Sequence, residues 1–321
     1  MIDVWLIGHT FDGWDNWKEQ VQFNLLAKAF LNLGCEVKFV TLDKLKIYDN
    51  SRLISYDDEV LEAPDIVILK TYIHTDFWKR KLLRLQTLGS LIINEPTKAI
   101  DYDNKINIYQ KASESGIPIP KTLFMPYSHC DNTTLAEIDE KIGWPCIIKP
   151  NLGWGAIGLT TVESKNMMNE SIKKSHKHYK ENFGNYGITP SHFIIQEMIE
   201  AEAMVTAVYT GKSIHTTIYH GKGTHLTKTT YKNHELRESY LKNHLVVPFI
   251  PPSDLVELIL KIKNSYDLTI FKAEFFITKF GFILCEINMT CGFTVGTLIG
   301  RNNMAAEIAE YALELYRTSV K

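Results

Sequence analysis

Phe271-Lys272-Ala273-Glu274-Phe275-Phe276-Ile277-Thr278, then Lys279-Phe280-Gly281, then Phe282-Ile283-Leu284-Cys285-Glu286-Ile287-Asn288: two apolar runs flank a short break that closes on glycine. This predicts a β-hairpin with a three-residue loop and glycine at the left-handed position. A turn centred on Phe280 sets Glu274 opposite Glu286 on one face of the sheet. Like charges placed so are destabilising unless a cation lies between them. Asn288, two residues further, adds a neutral oxygen to that face, and two carboxylates with an amide oxygen suit Mg²⁺. A solvated charged hairpin is the plainer alternative, opposed by the neighbouring Phe, Ile, Leu and Cys. A slip of one residue would send the acids to opposite faces.

Upstream, Gly153-Trp154-Gly155-Ala156-Ile157-Gly158 matches the letters of a dinucleotide fingerprint. That fold needs a helix opening on the last glycine, whereas Leu159-Thr160-Thr161-Val162 follows and is β-branched. Strand, glycine loop and strand instead describe a flap whose backbone N–H groups can cover phosphates. Lys149, at the end of Cys146-Ile147-Ile148-Lys149, puts its ammonium in the same space; an ordinary glycine-rich hairpin with a surface lysine is the alternative. Gly211-Lys212-Ser213 imitates the tail of a Walker A loop, but Thr206 stands where the earlier glycine is required, so it reads as a hairpin turn.

The remaining chain supplies the frame. Residues 2–8, 36–41, 65–69 and 91–94 read as short strands, alternating with helical patterns over 19–33 and 77–88, the signature of an open parallel sheet ending near residue 95. A helix is expected over 101–115 and another over 134–142. Strands are expected at 121–125, 145–149, 159–163, 192–197, 203–210, 213–220, 269–278 and 281–287, so this part is α+β. The polar stretch 221–244 reads as a loop over a site. Trp14 and Trp17, beside Asp12 and Asp15, follow the first strand and could line an acceptor pocket or simply pack a loop. His215, His220 and His225 alternate faces at their spacing and are assigned to the surface.

Composition narrows the class. The 321 residues are 45% hydrophobic and 22% charged, which predicts two or three globular domains. Thirty-five Lys+Arg against 37 Asp+Glu leave a net charge of −2, so no basic field points to nucleic acid. No apolar run reaches the roughly 18 residues of a membrane span. The opening MIDVWLIG is too short and wrongly flanked for a signal peptide. Five cysteines (35, 130, 146, 285 and 291) without a CxxC suit a reducing, cytoplasmic compartment.

Several motifs stand in a telling order: Ile93-Asn94-Glu95-Pro96 with Asp103-Asn104-Lys105, then Gly116-Ile117-Pro118-Ile119-Pro120-Lys121-Thr122. Ile147-Ile148-Lys149-Pro150 with the glycine loop, Ile194-Ile195-Gln196-Glu197-Met198-Ile199, Glu274, and Glu286-Ile287-Asn288 before Gly292-Phe293 complete it. From residue 65 to residue 310 this resembles the ATP-grasp superfamily, and within it the RimK-like carboxylate–amine ligases. The resemblance implies an α/β and α+β chain: an ATP-grasp fold with an N-terminal open α/β (pre-ATP-grasp) domain. Its domains would be 1–95, a central subdomain 96–195 with the glycine flap, and a C-terminal subdomain 196–321 with the metal site.

The resemblance also implies roles. Lys105 and Lys149 would contact ATP phosphates, under a flap formed by Gly153, Trp154, Gly155 and Gly158. The hinge Gln196, Glu197, Met198 and Ile199 would hold adenine through its backbone, with Glu202 or Glu200 on the ribose. Glu274, Glu286 and Asn288 would hold one or two Mg²⁺, with Mn²⁺ an alternative. The family's usual Asp-x-Arg is missing, Ala203 and Val205 standing in its place, and Cys291 replaces a usual proline. Replacement cations would come from Lys222, Lys228, Arg237 or Arg301. The expected activity is ATP-dependent ligation of a small-molecule or peptide carboxylate to an amine through an acyl phosphate, by a monomer or homodimer. A phosphotransferase and a non-catalytic nucleotide-binding module are the alternatives.

Overall fold

The computed structural model describes residues 1–8, 17–48, 54–70, 76–128, 130–153, 156–184, 189–221, 244–290, 292–293 and 303–319. The first sheet contains β1 (Asp3–Gly8), β2 (Glu36–Thr41), β6 (Ile66–Leu69) and β7 (Leu91–Ile93), all parallel, in the order β2-β1-β6-β7. Parallel strands are covered on both faces, and β1 shows why it reads as a continuous apolar run. Val4 and Leu6 point to one core with α1 (Trp17–Asn32), while Trp5 and Ile7 point to the other with Leu82 and Leu85 of α2 (Asp76–Thr87). A small antiparallel meander of β3 (Leu45–Ile47), β4 (Ile54–Tyr56) and β5 (Glu59–Leu61) closes the second face.

Two short helices follow, α3 (Pro96–Asp103) and α4 (Lys105–Glu114). The single helix expected over 101–115 is broken at Asn104, which is extended and caps α4 by accepting from the Ile106 amide. The second sheet, antiparallel, has the order β10-β9-β11-β8: β8 (Thr122–Pro126), β9 (Cys146–Pro150), β10 (Thr160–Val162) and β11 (His192–Glu197). Helices α5 (Asn132–Lys141) and α6 (Met168–Phe183) pack on the face carrying Met125, Cys146, Ile148, Phe193 and Ile195.

The third sheet has the order β14-β13-β12-β15-β16: β12 (Ala203–Tyr209), β13 (Ile214–Gly221), β14 (His244–Pro248), β15 (Phe271–Thr278) and β16 (Gly281–Asn288). Its Val205, Ala207, Phe271, Ala273, Phe275, Leu284 and Ile287 pack against α4 and α7 (Ser253–Tyr266). Gly211-Lys212-Ser213 is the β12–β13 turn, as expected. The last helix, α8 (Met304–Ser319), returns to the first sheet and packs on α1. It is also fastened to the β12–β13 turn. Glu307 accepts from the Thr210 hydroxyl at 2.6 Å and lies 2.8 Å from His215 Nε2, so His215 is largely buried rather than a surface residue. Among the described residues no helix is long and apolar enough to cross a membrane.

Candidate functional site

Residues 198–202 connect the second sheet to the third, and each of those sheets has one face turned away from its helices. On the second sheet that face carries Ile147 and Lys149 of β9 with Ile194 and Gln196 of β11, paired Gln196 to Ile147 and Ile194 to Lys149. On the third it carries Thr206, Lys272, Glu274, Glu286 and Asn288.

Glu274 and Glu286 are paired residues, as the hairpin spacing requires, but the route differs from the expected one. The turn has two residues, not three: Thr278 pairs with Gly281 and Phe275 with Leu284. Continued unchanged, that register would set Glu274 against Cys285 and send Glu286 to the opposite face. A bulge between Glu274 and Phe275 on one strand, spanning Cys285 on the other, restores the pairing. Asn288 then faces Lys272, and Lys272 Nζ donates to Glu274 Oε1 at 2.7 Å, which relieves part of the repulsion between the acids. Two carboxylates and an amide on one face are hard oxygen donors and fit Mg²⁺. Among the described residues no group of three or more His, Cys, Asp or Glu side chains comes together, so nothing there competes as a soft or imidazole-rich metal centre.

The basic side is built from α4 and β9. Asn151, 1% exposed, fixes their meeting point: its amide donates to Asn104 Oδ1 and its side-chain oxygen accepts from the Ser191 and His192 amides. The Lys105 amide donates to the Asn151 carbonyl, and its ammonium donates to the Gly153 carbonyl at the start of the glycine loop. Lys149 Nζ donates to the Tyr109 hydroxyl at 2.6 Å. Burial lowers the pKa of both lysines; the Glu286 carboxylate pulls both back up, and Lys149 lowers Lys105 further. Burial pushes the Cys285 thiol up to about 12 against the pull of Lys149, with Glu274 and Glu286 adding to the rise. Lys105 of α4, Lys149 of β9 and the carboxylates of the third sheet therefore share one electrostatic centre.

The glycine loop is anchored on α6. The Gly158 amide donates to His178 Nδ1 at 3.2 Å and its carbonyl accepts from the Ser175 hydroxyl. Gly153 and Gly158 have φ of +110° and +77°, and a Cβ on Gly158 would lie 2.7 Å from Pro150 Cγ. A strand follows the loop, as expected for a flap.

The hinge residues span the end of β11 (Gln196, Glu197) and the start of the connector (Met198, Ile199). Gln196 is buried and donates to the Thr122 hydroxyl at 2.9 Å. The Glu197 side chain is turned to β8, accepting from the Lys121 amide at 2.7 Å, and Ile199 is buried. Glu202 is exposed, its amide bonded to the Ile277 carbonyl. Lys105, Lys149, Glu274 and Glu286 thus belong to one network of interactions, with Gly153 bonded to Lys105, Asn288 paired with Lys272 and Gln196 on the open face of β11. Trp154, Gly155, Lys222, Lys228, Arg237 and Arg301 lie outside the described residues, as do Asp12, Trp14, Asp15 and nearly all of the loop expected at 221–244.

Two participants carry no sequence signal of their role. Tyr109 belongs to no motif, although its position four residues after Lys105 places it one helical turn away. Asn94 lies within a motif, yet its work is structural. It is 2% exposed, donates to the Ile270 and Met289 carbonyls and accepts from the Thr269 and Ile270 amides, clamping both open ends of the acidic hairpin to the end of β7.

Lys105 of α4 and Lys149 of β9, with the glycine loop beside them, stand near the paired carboxylates of β15 and β16, a set of groups whose chemistry fits a nucleoside triphosphate. The family described as carbamoyl-phosphate synthase L chain, ATP binding domain, matches residues 104–218. A D-alanine–D-alanine ligase of Fervidobacterium nodosum is 25% identical over 196 residues, covering 57% of this chain and 55% of the relative. The chain thus aligns with little more than half of that relative's length. A RimK-domain ATP-grasp protein of Sphaerobacter thermophilus superposes with a TM-score of 0.62 at 18% identity, covering 96% of this chain and 98% of the other. D-alanyl-alanine synthetase A of Vibrio cholerae gives 0.70 at 15%, covering 99% and 98%. The chain has the ATP-grasp fold, and its residues 104–218 carry the sequence pattern of an ATP-binding domain.

Proposed function

We propose that this chain is an ATP-dependent ligase that joins a carboxylate to an amine. A substrate carboxylate oxygen attacks the γ-phosphorus, the bond to the β-phosphate oxygen breaks, and ADP leaves. The amine nitrogen then attacks the acyl phosphate carbon, phosphate departs, and the nitrogen loses a proton to give the amide. The observation that carries this reading is the Lys149 ammonium, held 2.6 Å from the Tyr109 hydroxyl that bonds the Cys285 carbonyl beside Glu286, which brings a cation for phosphate next to paired acids suited to a metal.

In the first step the chain's task is to position groups and offset charge. Lys105 and Lys149 hold the phosphates in a partly desolvated place where their charges count most. The glycine loop, footed on Ser175 and His178, excludes water that would otherwise hydrolyse the acyl phosphate. Glu274, Glu286 and Asn288 would hold Mg²⁺, which when bound neutralises phosphate charge. The segment 196–199, at the end of β11 and the start of the connector, offers backbone groups to adenine, and Lys228, Arg237 and Arg301 remain our candidates for cations on the transferred phosphoryl group.

Incubation with ATP, Mg²⁺ and a pool of amino acids and peptides tests the reading. A ligase releases phosphate and ADP together only when carboxylate and amine are both present. ADP without free phosphate would mean a phosphotransferase, and no turnover with tight nucleotide binding would mean a non-catalytic module.

A further inference from the structure

Tyr109 is 2% exposed on the face of α4 turned to β16. Its hydroxyl accepts from the Lys149 ammonium at 2.6 Å and donates to the Cys285 carbonyl at 2.6 Å. The same ammonium lies 4.8 Å from the centroid of the tyrosine ring. A phenol can accept from an ammonium and donate to a carbonyl at once, whereas phenylalanine can do neither. The carbonyl it reaches is that of the bulged residue which sets the pairing of Glu274 and Glu286. Tyr109 therefore touches the phosphate-binding strand and the metal-binding hairpin at their two decisive points.

We infer that Tyr109 is a positioning residue, which fixes the Lys149 ammonium at the bulge of the acidic hairpin and so holds the cation of one sheet in register with the anions of the other. This rests on the nucleotide reading above. A free lysine ammonium swings on a four-carbon stem, and ordering it costs rotamer entropy at the moment of binding. It would also be drawn to Glu286, whose charge it already feels, and would neutralise a carboxylate meant for the metal. The tyrosine meets that ordering cost in the folded protein, before nucleotide arrives.

Equilibrium binding of Mg·ATP and of adenosine to the full chain tests this with Tyr109→Phe, Lys149→Met and the double variant. Tyr109→Phe keeps the ring and its packing; should it melt early, binding is read in the cold, where circular dichroism shows it folded. Tyr109→Phe should weaken Mg·ATP about tenfold, the loss expected for one hydrogen bond to a charged group. Adenosine, which has no phosphates, should bind unchanged. In the Lys149→Met background the second substitution should have no further effect. Wild-type affinity in Tyr109→Phe, an equal loss for adenosine, or losses that simply add would overturn the inference while leaving the nucleotide reading in place. A wild-type chain that binds no Mg·ATP would overturn both.

Discussion

Glu274 faces Glu286 only because Cys285 is bulged out of the ladder between β15 and β16. The bulge places two carboxylates side by side on a face that also presents Lys272 and Asn288, an arrangement that favours a cation. Replacing either acid with its amide removes the charge and keeps the shape. Glu274→Gln and Glu286→Gln should each abolish ATP turnover while leaving circular dichroism and thermal melting unchanged. Near-normal turnover in both would refute the assignment.

Asn94 spends its whole side-chain hydrogen-bonding capacity on four backbone groups at the open ends of the same hairpin. Asn94→Ala leaves those buried groups unpaired, each costing about 1–3 kcal/mol when no water reaches it. Urea unfolding should show a loss of about 3 kcal/mol or more. A change below about 0.5 kcal/mol, the range of ordinary surface substitutions, would mean the clamp contributes nothing.

The β12–β13 turn touches α8 through Gly211, whose φ is +92° and where an added Cβ would lie 1.9 Å from Tyr311 Cδ1. Gly211→Ala must displace that ring and strain the turn, at a cost of about 1–3 kcal/mol. Chemical denaturation should register this loss, with nucleotide affinity preserved. Unaltered stability would show that the turn relaxes freely.

Burial lowers Lys105 and Lys149 below the ordinary lysine value of 10.5, with Glu286 opposing the shift in both. Because the folded pKa lies below that of the unfolded chain, the protonated lysines cost stability at neutral pH. That cost is relieved as pH rises through the folded values. Phosphate beside the ammonium groups favours their charged forms and reverses the shift. Nucleotide binding should therefore take up protons on the alkaline side, and affinity should fall as pH climbs to the lowered values. Calorimetry in two buffers of different ionisation enthalpy would detect this uptake, and net proton release would contradict it.

Much of this site was legible in residue order. The face shared by Glu274, Glu286 and Asn288 followed from strand alternation, and the strand after the glycine loop followed from the β-branched run after Gly158. The hairpin turn is one residue shorter than its spacing predicts, and the bulge at Cys285 compensates: a bulge has no sequence signature beyond the backbone it bends. The break at Asn104 was readable, since asparagine before a helix is a cap, but apolar spacing around it favoured one continuous helix. Helix α7 carried a signal in Leu255, Ile259, Ile262 and Tyr266, while α6 mixed Ser171 and Ser175 into its buried face. Tyr109 and Asn94 were hidden for another reason. Their partners lie between 40 and 195 residues away, and tertiary hydrogen bonds leave no local periodicity.

If Lys105, Lys149, Glu274 and Glu286 serve one site, a triphosphate and a divalent cation bind there together. Calorimetric titration of ATP into the wild-type chain, with Mg²⁺ and again with EDTA, measures this directly. Saturable one-to-one binding that weakens sharply in EDTA, and loses its Mg²⁺ dependence in the Glu274→Gln/Glu286→Gln double variant, is the expected result. Binding that ignores both the metal and the two acids, or no binding by a folded chain, would contradict the account.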